Sequence, residues 1–155
     1  MKSVPVLVAG LLLASSTLTG CGGSSDYCNA VKADAQTLTN FTSPDVQPDF
    51  AKIPSFLTAA RELQGKAPKD VEESWTVIVS TLESLSDGVK EAGLTFPEFA
   101  TFLDTGKLPA NVTQAQTAGL ALKYQQLGAD IVTQAANAIQ KQAADVCKVD
   151  LSKKG

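Results

Sequence analysis

The chain has 155 residues, a formal charge of −3, and 44% hydrophobic but only 6% aromatic residues, a balance that fits one domain built on a single core. It contains no histidine, which excludes a Ser-His-Asp triad, a Cys-His pair and any imidazole zinc site. Its 13 Lys and Arg and 16 Asp and Glu are scattered singly, with no basic stripe to neutralise a row of phosphates, so no nucleic-acid partner is expected.

The first element in chain order is a targeting signal. Met1-Lys2 carries one positive charge, the apolar run from Val4 to Ala14 follows, and Ser15-Ser16-Thr17 closes it with polar residues. That run is too short to cross a bilayer as a helix, which takes about 20 residues. At its end stands Leu18-Thr19-Gly20-Cys21, which resembles the lipobox of bacterial lipoproteins: an aliphatic residue, two small ones, then cysteine. The resemblance implies that the Cys21 thiol accepts a diacylglyceryl group and that a signal peptidase cuts after Gly20. The lipid then holds the protein on the extracytoplasmic face of the cell membrane. Two acyl chains are enough for stable anchoring, at about 0.8 kcal/mol per buried CH₂. The alternative is an ordinary secretory signal with a cysteine nearby. Residues 1–20 are thus read as signal peptide, 21–25 as lipidated cysteine and flexible Gly-Gly-Ser-Ser tether, 26–150 as the folded domain and 151–155 as a tail.

The domain itself reads as helices. Asp26 is placed to cap a first helix in which Cys28, Val31, Ala35 and Leu38 recur at three- and four-residue spacing, with Phe41 near its end. A loop bearing Pro44 and Pro48 leads to a second helix, firm after Pro54, that carries Phe56, Leu57, Ala60 and Leu63 and ends at Gly65 to Pro68. The third is the clearest. Pro68 suits its first position, Asp70, Glu72 and Glu73 complement the positive end of its dipole, and Val71, Trp75, Ile78, Val79, Leu82, Leu85 and Val89 form one core-facing stripe. After Gly93, an aromatic piece from Leu94 to Leu103 makes a short helix stopped by Gly106 and Pro109. Thr113 then caps a last long helix with Leu120, Tyr124, Leu127, Ile131, Ala135 and Ala138 on one face, broadened by Ile139 and Val146, Gly119 and Gly128 being positions for bends. This final piece, alanine-rich and ending in a cysteine, resembles the last helices of small lipoproteins from high-GC Gram-positive bacteria, many of unassigned role. So does Ala67 to Val71 ahead of the Trp75 helix.

With Cys21 committed to lipid, Cys28 and Cys147 remain for a disulfide in an oxidising compartment, two free buried thiols being the alternative. A bond between the start of the first helix and the end of the last requires those two to lie side by side and antiparallel. The expected fold is therefore all-α: an up-down four-helix bundle with a short extra aromatic helix, stapled by one disulfide.

In that arrangement every phenylalanine falls at the pole away from the lipid. Phe50, Phe96, Phe99 and Phe102 are the candidate binding residues there, with a closing cap-core as the competing reading. Asp45, Asp49, Glu98 and Asp104 lie near the same pole but lack calcium-loop spacing, and no metal or cofactor is expected. The expected function is that of a lipid-anchored, non-catalytic envelope module that meets another envelope protein. The alternative is a carrier or sensor that holds an apolar small molecule between the helices, and a cavity above about 300 Å³ would favour it.

Overall fold

The third predicted helix is the axis of the structure. The stripe from Val71 to Val89 is buried along its whole length on α4 (Lys69–Glu91), with Asp70 and Glu72 in its first turn and Lys90 in its last, as the dipole favours. Pro68 stands one position earlier than expected, as the cap rather than the first helical residue. The helix stops because Gly93 takes a left-handed φ of 74°, which only glycine adopts without strain.

The structure, a computed structural model, describes residues 22–42 and 48–152, with side chains from Ser25 to Phe41 and from Pro48 to Ser152. The signal segment and Cys21 therefore lie outside the described residues, as does Asp45. Among the described residues there are seven α-helices and no strand. The other six are α1 (Gly22–Ala33), α2 (Ala35–Thr42), α3 (Ile53–Lys66), α5 (Phe96–Thr105), α6 (Gln114–Gln126) and α7 (Asp130–Gln142). A 3₁₀ turn over Phe50–Lys52 precedes α3, and a π-helical turn over Ala143–Cys147 follows α7. α3, α6 and α7 all pack on α4, while α1 packs on α3 and on the π turn, and α5 on the 3₁₀ turn.

Four long helices are thus not what forms. The predicted first helix divides at Asp34 into α1 and α2, and the predicted last one divides at residues 127–129 into α6 and α7. At this second break Leu127, Gly128 and Ala129 donate to the carbonyls three residues back, at 3.1 Å each, and Ala129 then extends to start α7 afresh. Gly128 marks the break, whereas Gly119 sits inside an unbroken α6. The continuous apolar face expected from Leu120 to Ala138 fails just after the break, at Ile131, which is 62% exposed. Ala135 of that face and Ile139 beside it are buried as expected, whereas Val146 is 49% exposed.

The chain ends differ from expectation as well. α1 begins at Gly22, so the segment read as a flexible tether is helical from there and Asp26 lies inside the helix instead of capping it. The burial of Tyr27 and Cys28 supplies the packing that carries the helix back through residues of low propensity. At the other end Leu151, placed in the tail, is buried in the core.

Cys28 and Cys147 stand at bonding distance, Sγ to Sγ 2.02 Å and Cα to Cα 4.9 Å, across 119 positions of sequence. The bond fastens the first turns of α1 to the end of the chain. Beside it the Trp75 indole Nε1–H donates to the Tyr27 hydroxyl at 2.9 Å, deep in the core, which satisfies a donor that burial would otherwise strand.

Candidate functional site

The break between α6 and α7 leaves space over the middle of α4. One wall is aromatic. Phe41 at the end of α2 stacks on Phe56 of α3 with ring centroids 4.3 Å apart and planes 13° from parallel. Phe50 stands beside them on the 3₁₀ turn, whose start is held by the Asp49 carboxylate accepting from the Ala51 N–H at 3.2 Å. The floor is Trp75, Ile78 and Leu82 of α4, and Trp75 is kept in place there by Tyr27. The opposite wall is Tyr124 and Leu127 before the break and Val132 and Ala136 after it, with Gln125, Thr133, Asn137 and Gln140 towards the rim. The half-open cavity so formed measures about 590 Å³.

A second groove of about 620 Å³ runs between α5 and α6, lined by Phe99, Phe102, Leu103, Leu108, Leu120 and Tyr124 among others. Tyr124 belongs to both spaces. Its ring meets Phe50 edge to face at 5.6 Å and Phe99 at 5.9 Å, and Phe50 and Phe99 meet each other at 5.9 Å, so three rings form the partition. α5, which carries Phe99, is set by a reciprocal cap: the Thr95 N–H donates to Glu98 at 2.8 Å and the Thr95 hydroxyl does so at 2.7 Å. These bonds hold the Glu98 carboxyl below its ordinary range, the backbone bond contributing most. α6 is started in the same way by Thr113, whose N–H donates to the Gln116 side chain at 2.8 Å, as the sequence placed it.

Among the described residues no charged side chain lines either space, although charged residues make up 19% of the chain. The Tyr27 phenol below Trp75 is pushed above its ordinary value, chiefly by burial, while the bond from Trp75 opposes the shift and Asp70 adds to it.

Of the four phenylalanines singled out from sequence, Phe50 lines the cavity and Phe99 and Phe102 line the groove. Phe96 lines neither and packs half-buried against the core. Phe99 is the most buried of the α5 rings at 1% exposure. Sequence reasoning counted Phe41 and Phe56 towards the aromatic pole without choosing them as binding residues, left Trp75 to the core, and missed the amide and hydroxyl side chains of α7 altogether. The signal for Trp75 was misleading in a simple way: a residue on a core stripe also faces any cavity that opens over that stripe. Among the described residues no group of three or more Asp, Glu or Cys is placed to hold a metal ion. Asp49 is paired with Lys52 at 3.3 Å and Glu98 is engaged in its cap.

No known protein family matches the chain, and comparison with curated proteins and with solved structures finds no match either.

Proposed function

We propose that this protein is a lipid-anchored, non-catalytic carrier or sensor that binds an apolar small molecule in the cavity at the α6–α7 break. One observation carries the reading: the cavity of about 590 Å³, walled by Phe41, Phe50, Phe56 and Trp75. Its size lies within the range of about 300–1,000 Å³ typical of small-molecule sites, and apolar walls with a few polar groups at the rim are the usual composition of such sites. We read α1–α2 and α6–α7 as two broken rods that, with α3 and α4, make an up-down bundle of four. On that reading the second break is the feature that separates a binding bundle from a closed one. The anchor is the lipid on Cys21, expected from Leu18 to Cys21; none of the described helices is long and apolar enough to cross a membrane. The absence of histidine supports a non-catalytic role, since the commonest proton shuttle is missing.

A second reading, docking of another envelope protein, draws on Leu122 and Ile131, 66% and 62% exposed on α6 and α7. Native mass spectrometry of the protein extracted from its own membrane separates the two. The carrier reading expects an apolar molecule retained by the wild type and lost from Ala136→Phe, which places a ring in the cavity, while Leu122→Ser with Ile131→Ser keeps it. Retention by Ala136→Phe at the wild-type level, or no bound molecule in any form, refutes the carrier.

A further inference from the structure

The charge distribution around the cavity narrows what it takes. The wall holds hydrocarbon, amides and hydroxyls, with Tyr124 as its one titratable side chain among the described residues. Charged residues do flank the lining positions along the chain, but each has an ion-pair partner elsewhere. Lys52, next to Ile53, pairs with Asp49 at 3.3 Å, and Glu83, next to Leu82, pairs with Arg61 at 2.7 Å. Lys123, next to Tyr124, pairs with Glu91 at 3.0 Å, and Lys141, next to Gln140, pairs with Asp145. A carboxylate, phosphate or ammonium moved into this cavity would leave water without meeting an opposite charge among the described lining residues, which is strongly unfavourable. A neutral head group would meet Thr133, Asn137 and Gln140, which are spaced three to four residues apart on α7 and so share one face of that helix. The amides both donate and accept, as does the hydroxyl, so they match an alcohol, an ester or an amide.

We infer that the ligand is an uncharged amphiphile, its alkyl or ring body lying on the wall of Phe41, Phe56 and Trp75 and its hydroxyl, ester or amide head at the Thr133–Asn137–Gln140 rim. The inference rests on the carrier reading above and adds the ligand's charge and orientation to it.

Trp75 is the only tryptophan of the chain and borders the cavity floor at 1% exposure, so its emission responds to a quencher seated against that floor. Bromine quenches indole fluorescence on contact. Titration of the protein at about pH 8 with ω-bromododecanol, ω-bromododecanoate and ω-bromododecylammonium, below their micelle concentrations, compares one chain with three heads. The alcohol is expected to quench at concentrations lower by about tenfold or more than either ion, since an unpaired buried charge is penalised by at least that factor. Lowering the pH towards about 5 neutralises the acid, so the carboxylate probe closes on the alcohol while the alcohol itself does not change. Thr133→Lys, at an exposed rim position, supplies a cation and brings the carboxylate probe towards the alcohol at about pH 8. An ionic probe that equals the alcohol in the wild type overturns the inference but leaves the carrier reading intact. No change in Thr133→Lys overturns the placement of the head group, and quenching by none of the three overturns the carrier reading with it.

Discussion

Replacing Tyr27 by Phe tests the buried pair that holds the cavity floor. The Tyr27 hydroxyl accepts from the Trp75 indole at 2.9 Å, and the two side chains are 0% and 1% exposed. The substitution keeps the ring and its packing and takes away only the acceptor, so a buried N–H is left without a partner. That costs about 1–3 kcal/mol, and for a chain of this size each kcal/mol lowers the melting temperature by about 2–4 °C. Urea unfolding followed by circular dichroism measures it. In a Trp75→Phe background there is no N–H to strand, so the same Tyr27→Phe change should cost clearly less there. An alkaline titration adds a second arm. Burial raises the Tyr27 phenol above its ordinary value, about 10 in the unfolded chain, so the folded state keeps a proton that the unfolded state loses. The stabilisation is therefore complete below about pH 10 and is lost as the pH rises through the raised value. The gap between wild type and Tyr27→Phe should narrow over that range. A Tyr27→Phe cost under about 0.5 kcal/mol, or one equal in both Trp75 backgrounds, would refute the argument that the hydrogen bond is what anchors the floor.

Reduction of Cys28–Cys147 should lower stability by about 4–5 kcal/mol, because the bond closes a loop spanning 119 positions; recovery of both cysteines as free thiols by non-reducing peptide mapping of the protein from its own cells would contradict it. Phe99→Ala should cost about 3–5 kcal/mol, and Phe96→Ala and Phe102→Ala roughly half of that or less, since those rings are only half-buried. Three equal losses by thermal unfolding would return all of α5 to the core and leave the groove without an available ring. Cys21→Ser should abolish incorporation of a radioactive fatty acid and release the protein from the membrane with its helical circular dichroism unchanged. Label in the mutant, or none in the wild type, would dismiss the lipobox reading.

The helical class and the core stripe of α4 were legible because they depend on local periodicity alone. Seven apolar positions at helical spacing can be buried together in only one way, and they are. The cap at Thr113 and the glycine stop at Gly106, which ends α5 with a left-handed φ of 70°, were legible for the same reason, since each is settled within one turn of chain. The disulfide followed from cysteine number once Cys21 was set aside, and the geometry agrees.

The candidate site was legible only in part. Phe50 and Phe99 were singled out because aromatics were counted towards one end of a bundle, but the space they border depends on the break at residues 127–129. A glycine in an alanine-rich run is compatible with a straight helix, a bend or a break, and its local cost of about 1 kcal/mol does not choose between them. Tertiary packing does: after the break Ala135 and Ile139 are buried and Val132 is half-buried, while Ile131 is exposed and the cavity opens beside the turn. Phe41 of α2 meets Phe56 of α3 across 15 positions of sequence, and Tyr27 meets Trp75 across 48, pairings that no spacing rule along the chain encodes. By itself the sequence determined what each turn of helix would bury, where several of the helices start and stop, and which two cysteines were left to pair, because those are short-range matters of periodicity, capping and count. Only the tertiary structure decided the break before α7, the aromatic wall and the cavity between them, which no charged side chain lines among the described residues, because these arise where separate helices compete for the same face of α4.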